Sequence, residues 1–156
     1  MPELPPKIYE ALGRMTWAAM GVEERARSLT LHVLGFDRTA KPVGTLIQAA
    51  IERLERVDAN PPRPASVEWL KRARAGLERR NEVLHSEYIE WWDETDGKVE
   101  RSSDSYLLHL PNKQSKPAVH VSVDEETFDG IAQELNETIA AWGQAYASFF
   151  DDRGPG

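Results

Sequence analysis

The fold turns on residues 77–97, "LERRNEVLHSEYIEWWDETDG". Up to Tyr88, the apolar residues Leu70, Ala73, Leu77, Leu84 and Tyr88 recur at helical spacing and mark one face. Beyond Tyr88, aromatic and β-branched residues gather around Thr95-Asp96-Gly97, and an Asp-Gly pair is a hairpin-turn signal. A helix therefore gives way to strands inside this stretch. Its helical half also carries Arg80, Asn81 and His85, residue types that a packing face rarely uses.

On the N-terminal side the pattern is helical throughout. Ile8, Leu12, Met15, Ala19, Val22, Ala26, Leu29 and Val33 alternate fours and threes, which predicts an amphipathic helix over about 6–34. Pro6 suits its start and Gly35 its stop. Gly13 and Gly21 lie inside it at about 1 kcal/mol each relative to alanine, so close packing or a bend is expected there. Pro42 opens a second helix with Val43, Leu46, Ile47, Ala50, Ile51, Leu54 and Val57 on its buried face. "DANPPRPA" then ends it, because proline cannot continue a helix. Ser66 is the expected N-cap of the third helix.

On the C-terminal side, "SYLLHLP" and "AVHVSV" read as further short strands. The last helix carries Phe128, Ile131, Leu135, Ile139, Trp142, Tyr146 and Phe149 at threes and fours. Asp124 is its expected N-cap, with a Val123–Phe128 staple. Glu125 and Glu126 suit the positive end of its dipole. The predicted class is mainly α, a four-helix up-and-down bundle with a small antiparallel β insertion between the third and fourth helices. All 156 residues form one domain, with the insertion at about 87–123 and a frayed tail at about 151–156.

On a helical wheel at about 100° per residue, Leu70, Leu77, Leu84 and Tyr88 share a narrow arc. Asn81 falls inside that arc, Arg80 flanks one side and His85 the other, and Arg79 points away. A buried amide without partners costs about 1–3 kcal/mol, and an arginine beside a core needs an anion or several acceptors. Local rules tend to be broken at functional sites.

Composition narrows the chemistry. The chain has no cysteine, which excludes disulfides, thiolate metal sites and a cysteine nucleophile. No basic–apolar leader and no apolar run of about 20 residues is present, so a cytoplasmic protein without a membrane segment is expected. The net charge of −7 argues against nonspecific nucleic-acid binding. Arg63, Lys71, Arg72, Arg74, Arg79 and Arg80 nevertheless crowd one region, where a local basic surface is expected. His32, His109 and His120 show no metal-ligand spacing, although His109 and His120 sit on strands where they could face each other. There is no calcium loop, P-loop, dinucleotide fingerprint or Gly-x-Ser-x-Gly elbow. No metal or cofactor is expected.

Arg80-Asn81, three residues, then His85, late in the third helix of a bundle, resembles the HEPN superfamily (higher eukaryotes and prokaryotes nucleotide-binding). "SEYIEWW" and "VDEETFDGIAQEL" also resemble bacterial members, and the likeness covers about residues 8–150. The resemblance implies a metal-independent endoribonuclease of toxin or defence type. His85 would move protons as the 2′-hydroxyl attacks its own phosphate, Arg80 would stabilise charge on phosphorus, and Asn81 would orient His85 or bind a phosphate oxygen. The chemistry is coherent: histidine titrates near neutrality and guanidinium binds phosphoryl oxygens bidentately. A homodimer with two motifs facing one groove, an RNA substrate and a cognate antitoxin or regulatory protein are further implications. Tyr88, Trp91 and Trp92 would stack bases or line the dimer.

Two other readings stay open. One is a noncatalytic HEPN-like helical module that binds a protein partner or nucleotide; the other is a bundle of unrelated lineage. In these, Arg80 pairs with a nearby acid such as Glu78, Glu82 or a last-helix carboxylate. Asn81 fixes register, and His85 sits against the helix dipole. Glu23 and Glu24 lie where the first helix could reach Arg80.

Overall fold

A computed structural model describes residues 5–35, 41–56, 64–85, 87–109, 119–122 and 125–150. The chain is mainly helical with a small antiparallel sheet. Its order is α1 (Pro6–Leu34), α2 (Val43–Arg56), α3 (Pro64–Leu84), β1 (Glu87–Thr95), β2 (Lys98–His109), β3 (Val119–Ser122), α4 (Glu125–Ala140) and α5 (Trp142–Phe150).

The α1 boundaries match the periodicity. Gly35 takes φ 75°, and its N–H returns to the Leu31 carbonyl, a left-handed stop that glycine adopts without strain. The predicted turn is also present: Asp96 and Gly97 both have positive φ (53° and 74°), as the two-residue hairpin turn requires. β1 pairs antiparallel with β2, and the register shifts between Glu90 and Trp92. β2 pairs antiparallel with β3, matching Leu108 with His120 and His109 with Val119. His109 and His120 are therefore offset by one position, and the expectation that they face each other does not hold.

The core is a single cluster drawn from all five helices, centred on Met15, Val22, Leu29, Ile47, Leu70 and Leu135. Arg14 on α1 grips Asp129 on α4 through Nε (2.9 Å) and Nη2 (3.1 Å). Further along, a side chain at Gly21 would meet Ile139, and His32 contacts Tyr146 and Phe150. The contacts advance together, so α1 and α4–α5 run the same way. α3 runs against both: Ser66 meets Ala145, Trp69 meets Thr138 and Gly76 meets Leu135. These directions do not alternate as an up-and-down bundle requires, because the first and third helices are opposed rather than parallel.

Two local expectations are also corrected. α3 begins at Pro64, so Ser66 is not its cap. Proline is favoured in a first turn, and the Ser66 hydroxyl is buried and donates to the Ala145 carbonyl at 3.0 Å. The last helix is two helices, broken at Ala141. The Trp69 indole donates to the Thr138 carbonyl at 2.8 Å, the acceptor that a continuous helix would give to the Trp142 N–H. The proposed Asp124 cap, the Val123 half of the staple and Val57 lie outside the described residues.

Candidate functional site

Arg80 projects from the last turns of α3 toward α1. The residues of α3 that are buried are Ser66, Trp69, Leu70, Ala73, Gly76 and Leu77. Taken from Leu70, they span roughly 0° to −120° on the wheel, which puts Arg80, at about −80°, near the middle of the arc and Asn81, at about +20°, beyond its edge. The arc expected from Leu70, Leu77, Leu84 and Tyr88 was centred too far round. It left out Trp69 and Gly76, and it extended past the helix. Tyr88 belongs to β1, and Leu84 at the helix end is 43% exposed. Asn81 and His85 are exposed, so the amide does not interrupt the core.

The Arg80 side chain is only 12% exposed and pairs through Nη2 with Glu23 of α1, itself 30% exposed. Of the two acids that helix length alone had suggested, Glu23 and Glu24, the first is the partner. Arg80 Nε is buried and has no hydrogen-bond partner. Most buried N–H groups are satisfied, so such a group calls for an explanation.

Arg80, Glu23 and Asn81 line an open groove of about 850 Å³ between α1, the start of α2 and α3. Its wall is a chain of polar contacts. Gln48 Nε2 donates to Glu52 at 2.9 Å, Arg74 donates to the Gln48 oxygen, and Arg74 Nε donates to Glu78 at 2.9 Å. Arg27 donates to the Lys41 carbonyl at 3.2 Å. Three cations (Arg27, Arg74, Arg80) thus face three carboxylates (Glu23, Glu52, Glu78).

His85 does not line this groove. It follows the last turn of α3, with its backbone N–H on the Asn81 carbonyl at 2.9 Å. It lies about 140° from Arg80 around the helix axis and roughly 7.5 Å further along it. The structure therefore brings Arg80 and Asn81 to one groove and leaves His85 past its rim. Tyr88, Trp91 and Trp92 sit on β1, Tyr88 opposite Leu107 and Trp92 opposite Arg101. Their side chains are outside the described ones, as is Arg63.

The expected basic surface is not present among the described residues. Lys71 pairs with Glu55 (3.0 Å), Arg72 with Glu137 (3.3 Å) and Arg74 with Glu78, while Arg79 pairs with Glu134 and Arg80 with Glu23. Four of these five acids come from other helices, which counting charge along α3 cannot reveal. The Lys71 ammonium is held above its ordinary pKa, first by its hydrogen bond to Glu55. No group of three histidine, aspartate or glutamate residues placed to hold a metal occurs among the described residues. No helix among them is long and apolar enough to cross a membrane. Compared with protein-family models, curated proteins and solved structures, the chain matches none.

Proposed function

We propose that the C-terminal end of α3 is a HEPN-like RNA-cleaving centre, held closed by Glu23. Arg80 is the observation that carries this reading. A cation placed near the middle of a core-facing arc, with one N–H unsatisfied and a groove before it, is expensive as structure and useful as chemistry. To act, Arg80 leaves Glu23 and turns past Asn81 toward His85. A phosphodiester then replaces the carboxylate, since both anions match the guanidinium fork. The 2′-oxygen attacks the adjacent phosphorus and the P–O5′ bond breaks; His85 takes the 2′-hydroxyl proton while water protonates the leaving 5′-oxygen, or His85 protonates that oxygen while water takes the 2′-hydroxyl proton. Arg80 stabilises the added negative charge on phosphorus. Tyr88, Trp91 and Trp92 on β1 follow His85 directly and are the residues offered to the bases. The sheet is then an insertion in a HEPN-like bundle. A homodimer is the working form, and the role is that of a cytoplasmic toxin or defence RNase with a cognate antitoxin.

A second reading is a noncatalytic helical module binding a protein partner or nucleotide. The neutralised cations of α3 favour it, because a paired arginine offers no net charge to RNA.

One experiment separates the two. Wild-type protein is expected to cut RNA in EDTA and to leave 2′,3′-cyclic phosphate ends. His85→Ala and Arg80→Ala should each slow cleavage by about 10²-fold or more while circular dichroism and melting stay near wild type. An inert wild type, or variants that lose activity only by unfolding, sinks the nuclease reading.

A further inference from the structure

We infer that Arg27 of α1 holds a phosphate neighbouring the scissile one, so that the site takes a strand of RNA rather than an isolated phosphodiester. This rests on the nuclease reading and names how that site grips its substrate. Arg27 stands one turn after Glu23 on α1 and lines the same groove. It is partly buried, and its Nη1 donates to the Lys41 carbonyl at 3.2 Å. No acid among the described residues pairs with it. The acids of the groove are engaged elsewhere: Glu23 by Arg80, Glu78 by Arg74 at 2.9 Å and Glu52 by Arg56 at 3.9 Å. Arg56 is not part of the groove lining. Arg27 is therefore the lining cation whose charge no acid offsets, and a guanidinium on a single neutral acceptor has donors to spare.

The helices set Arg27 and His85 at opposite ends of one line. Arg74, Glu78 and Asn81 form the α3 wall of the groove. They lie at about +40°, +80° and +20° from Leu70, and His85, at about +60°, continues the same ridge one turn past Asn81. Across the groove Arg80 meets Glu23. Because α1 and α3 run in opposite directions, Arg27 is displaced from that pair by about 6 Å on the side away from His85. His85 stands about 7.5 Å past Arg80 on the other side. Roughly 13 Å of axial distance thus separates Arg27 from His85, well beyond hydrogen-bond reach of a common phosphate. A ligand that engages His85, Arg80 and Arg27 together must carry a second anion along the groove, as an RNA strand does.

The surroundings of Arg27 suit that anion. Val43, Gly44 and Thr45 of the first α2 turn line the groove, and the Lys41 contact holds Arg27 beside them. A helix start adds a field of the same sign. A guanidinium exchanges one backbone carbonyl readily for a charge-assisted bond to phosphate. Such a contact fixes the position of the strand and reads no base. Binding and chemistry are then divided along the groove. Arg27 anchors the strand, while Arg80 and His85 act on the phosphate nearer the end of α3. An anchor away from the reacting atoms holds substrate and transition state alike, so its loss shows in KM more than in kcat.

Two measurements on the full chain test this. The first is cleavage of a hexaribonucleotide with one free 2′-hydroxyl against cleavage of a dinucleoside monophosphate, which has no flanking phosphate. Wild type should favour the hexamer at least tenfold in kcat/KM. Arg27→Gln should lose most of that preference through KM, and Arg27→Lys, which keeps the charge, should retain most of it. The second is fluorescence anisotropy of the labelled hexamer in the His85→Ala background. Arg27→Gln should weaken binding about tenfold and flatten the log–log salt slope by about 0.7, the release expected for one phosphate of a single strand. Circular dichroism and melting should match wild type in each variant. A preference for the hexamer that survives Arg27→Gln overturns the inference, and so does an unchanged salt slope. A wild type that cuts neither substrate overturns the nuclease reading instead, and the salt slope then decides the Arg27 contact by itself.

Discussion

A guanidinium removed from water is costly, and Arg80 recovers only part of that cost. One nitrogen meets Glu23, the Nε meets nothing, and Asn81 beside it is in solvent. Removing the cation leaves Glu23, which is 30% exposed and can be rehydrated, whereas removing the acid strands a guanidinium that is only 12% exposed. Arg80→Met should therefore leave stability within about 1 kcal/mol of wild type, while Glu23→Gln, which strands the cation, should cost about 1–2 kcal/mol. Paired urea melts of the two variants measure the asymmetry, and a larger loss for Arg80→Met would mean that the pair is kept for stability. The same Glu23→Gln variant should cleave RNA several-fold faster than wild type under the proposed chemistry, since its neutral amide releases Arg80. Slower cleavage would mean that Glu23 positions Arg80 rather than restrains it. How much of this was legible follows from the wheel. Glu23 was reachable because a long first helix had to pass α3. Asn81 was misplaced because the arc was drawn through leucines, whereas Trp69 and Gly76 set its true centre.

Helices here are fixed by close approach as much as by apolar spacing, and two glycines of similar sequence context should respond oppositely. A Cβ at Gly76 would lie 2.9 Å from Leu135 Cδ2, and Leu135 is fully buried. The helix-propensity gain of about 1 kcal/mol is then outweighed by overpacking of about 1–3 kcal/mol, so Gly76→Ala should destabilise. Gly13 has open space, so Gly13→Ala should stabilise by about 1 kcal/mol. Thermal melts of the two variants against wild type give both signs. The break between α4 and α5 has an equally local cause. Trp69→Phe removes the indole donor and frees the Thr138 carbonyl for Trp142. Amide exchange at Trp142 should slow in that variant even as overall stability falls, because a buried hydrogen bond and ring volume are lost. Periodicity located every helix except this break. Phe128 to Phe149 keeps its threes and fours straight through Ala141, so only the tertiary hydrogen bond from a distant tryptophan could reveal it. Helix direction was likewise invisible, since an apolar face does not say which way its neighbour runs.

At the scale of the molecule, charge arithmetic along the chain and charge arrangement in space disagree. The basic run of α3 suggested a local positive surface inside a chain of net charge −7. Folding sets Glu23, Glu55, Glu134 and Glu137 from three other helices against it. The groove itself holds equal numbers of arginine and glutamate residues. An electrostatic nucleic-acid surface would release many counterions and show a steep salt dependence. Among the described groove residues, Arg80, once freed, and Arg27, which meets the Lys41 carbonyl, are the cations that no acid holds. Single-stranded RNA binding by the His85→Ala variant, followed by fluorescence anisotropy, should therefore change with salt by a log–log slope of about −1, the release expected for one or two phosphates. Duplex DNA should bind weakly if at all. Glu23→Gln in the same background should tighten RNA binding and leave that slope nearly unchanged, because the variant frees the same single cation. A slope near −4 or steeper would instead require several free cations, which the ion pairs of α3 do not supply. In that case the RNA surface would have to lie away from the groove, on the strands that follow His85.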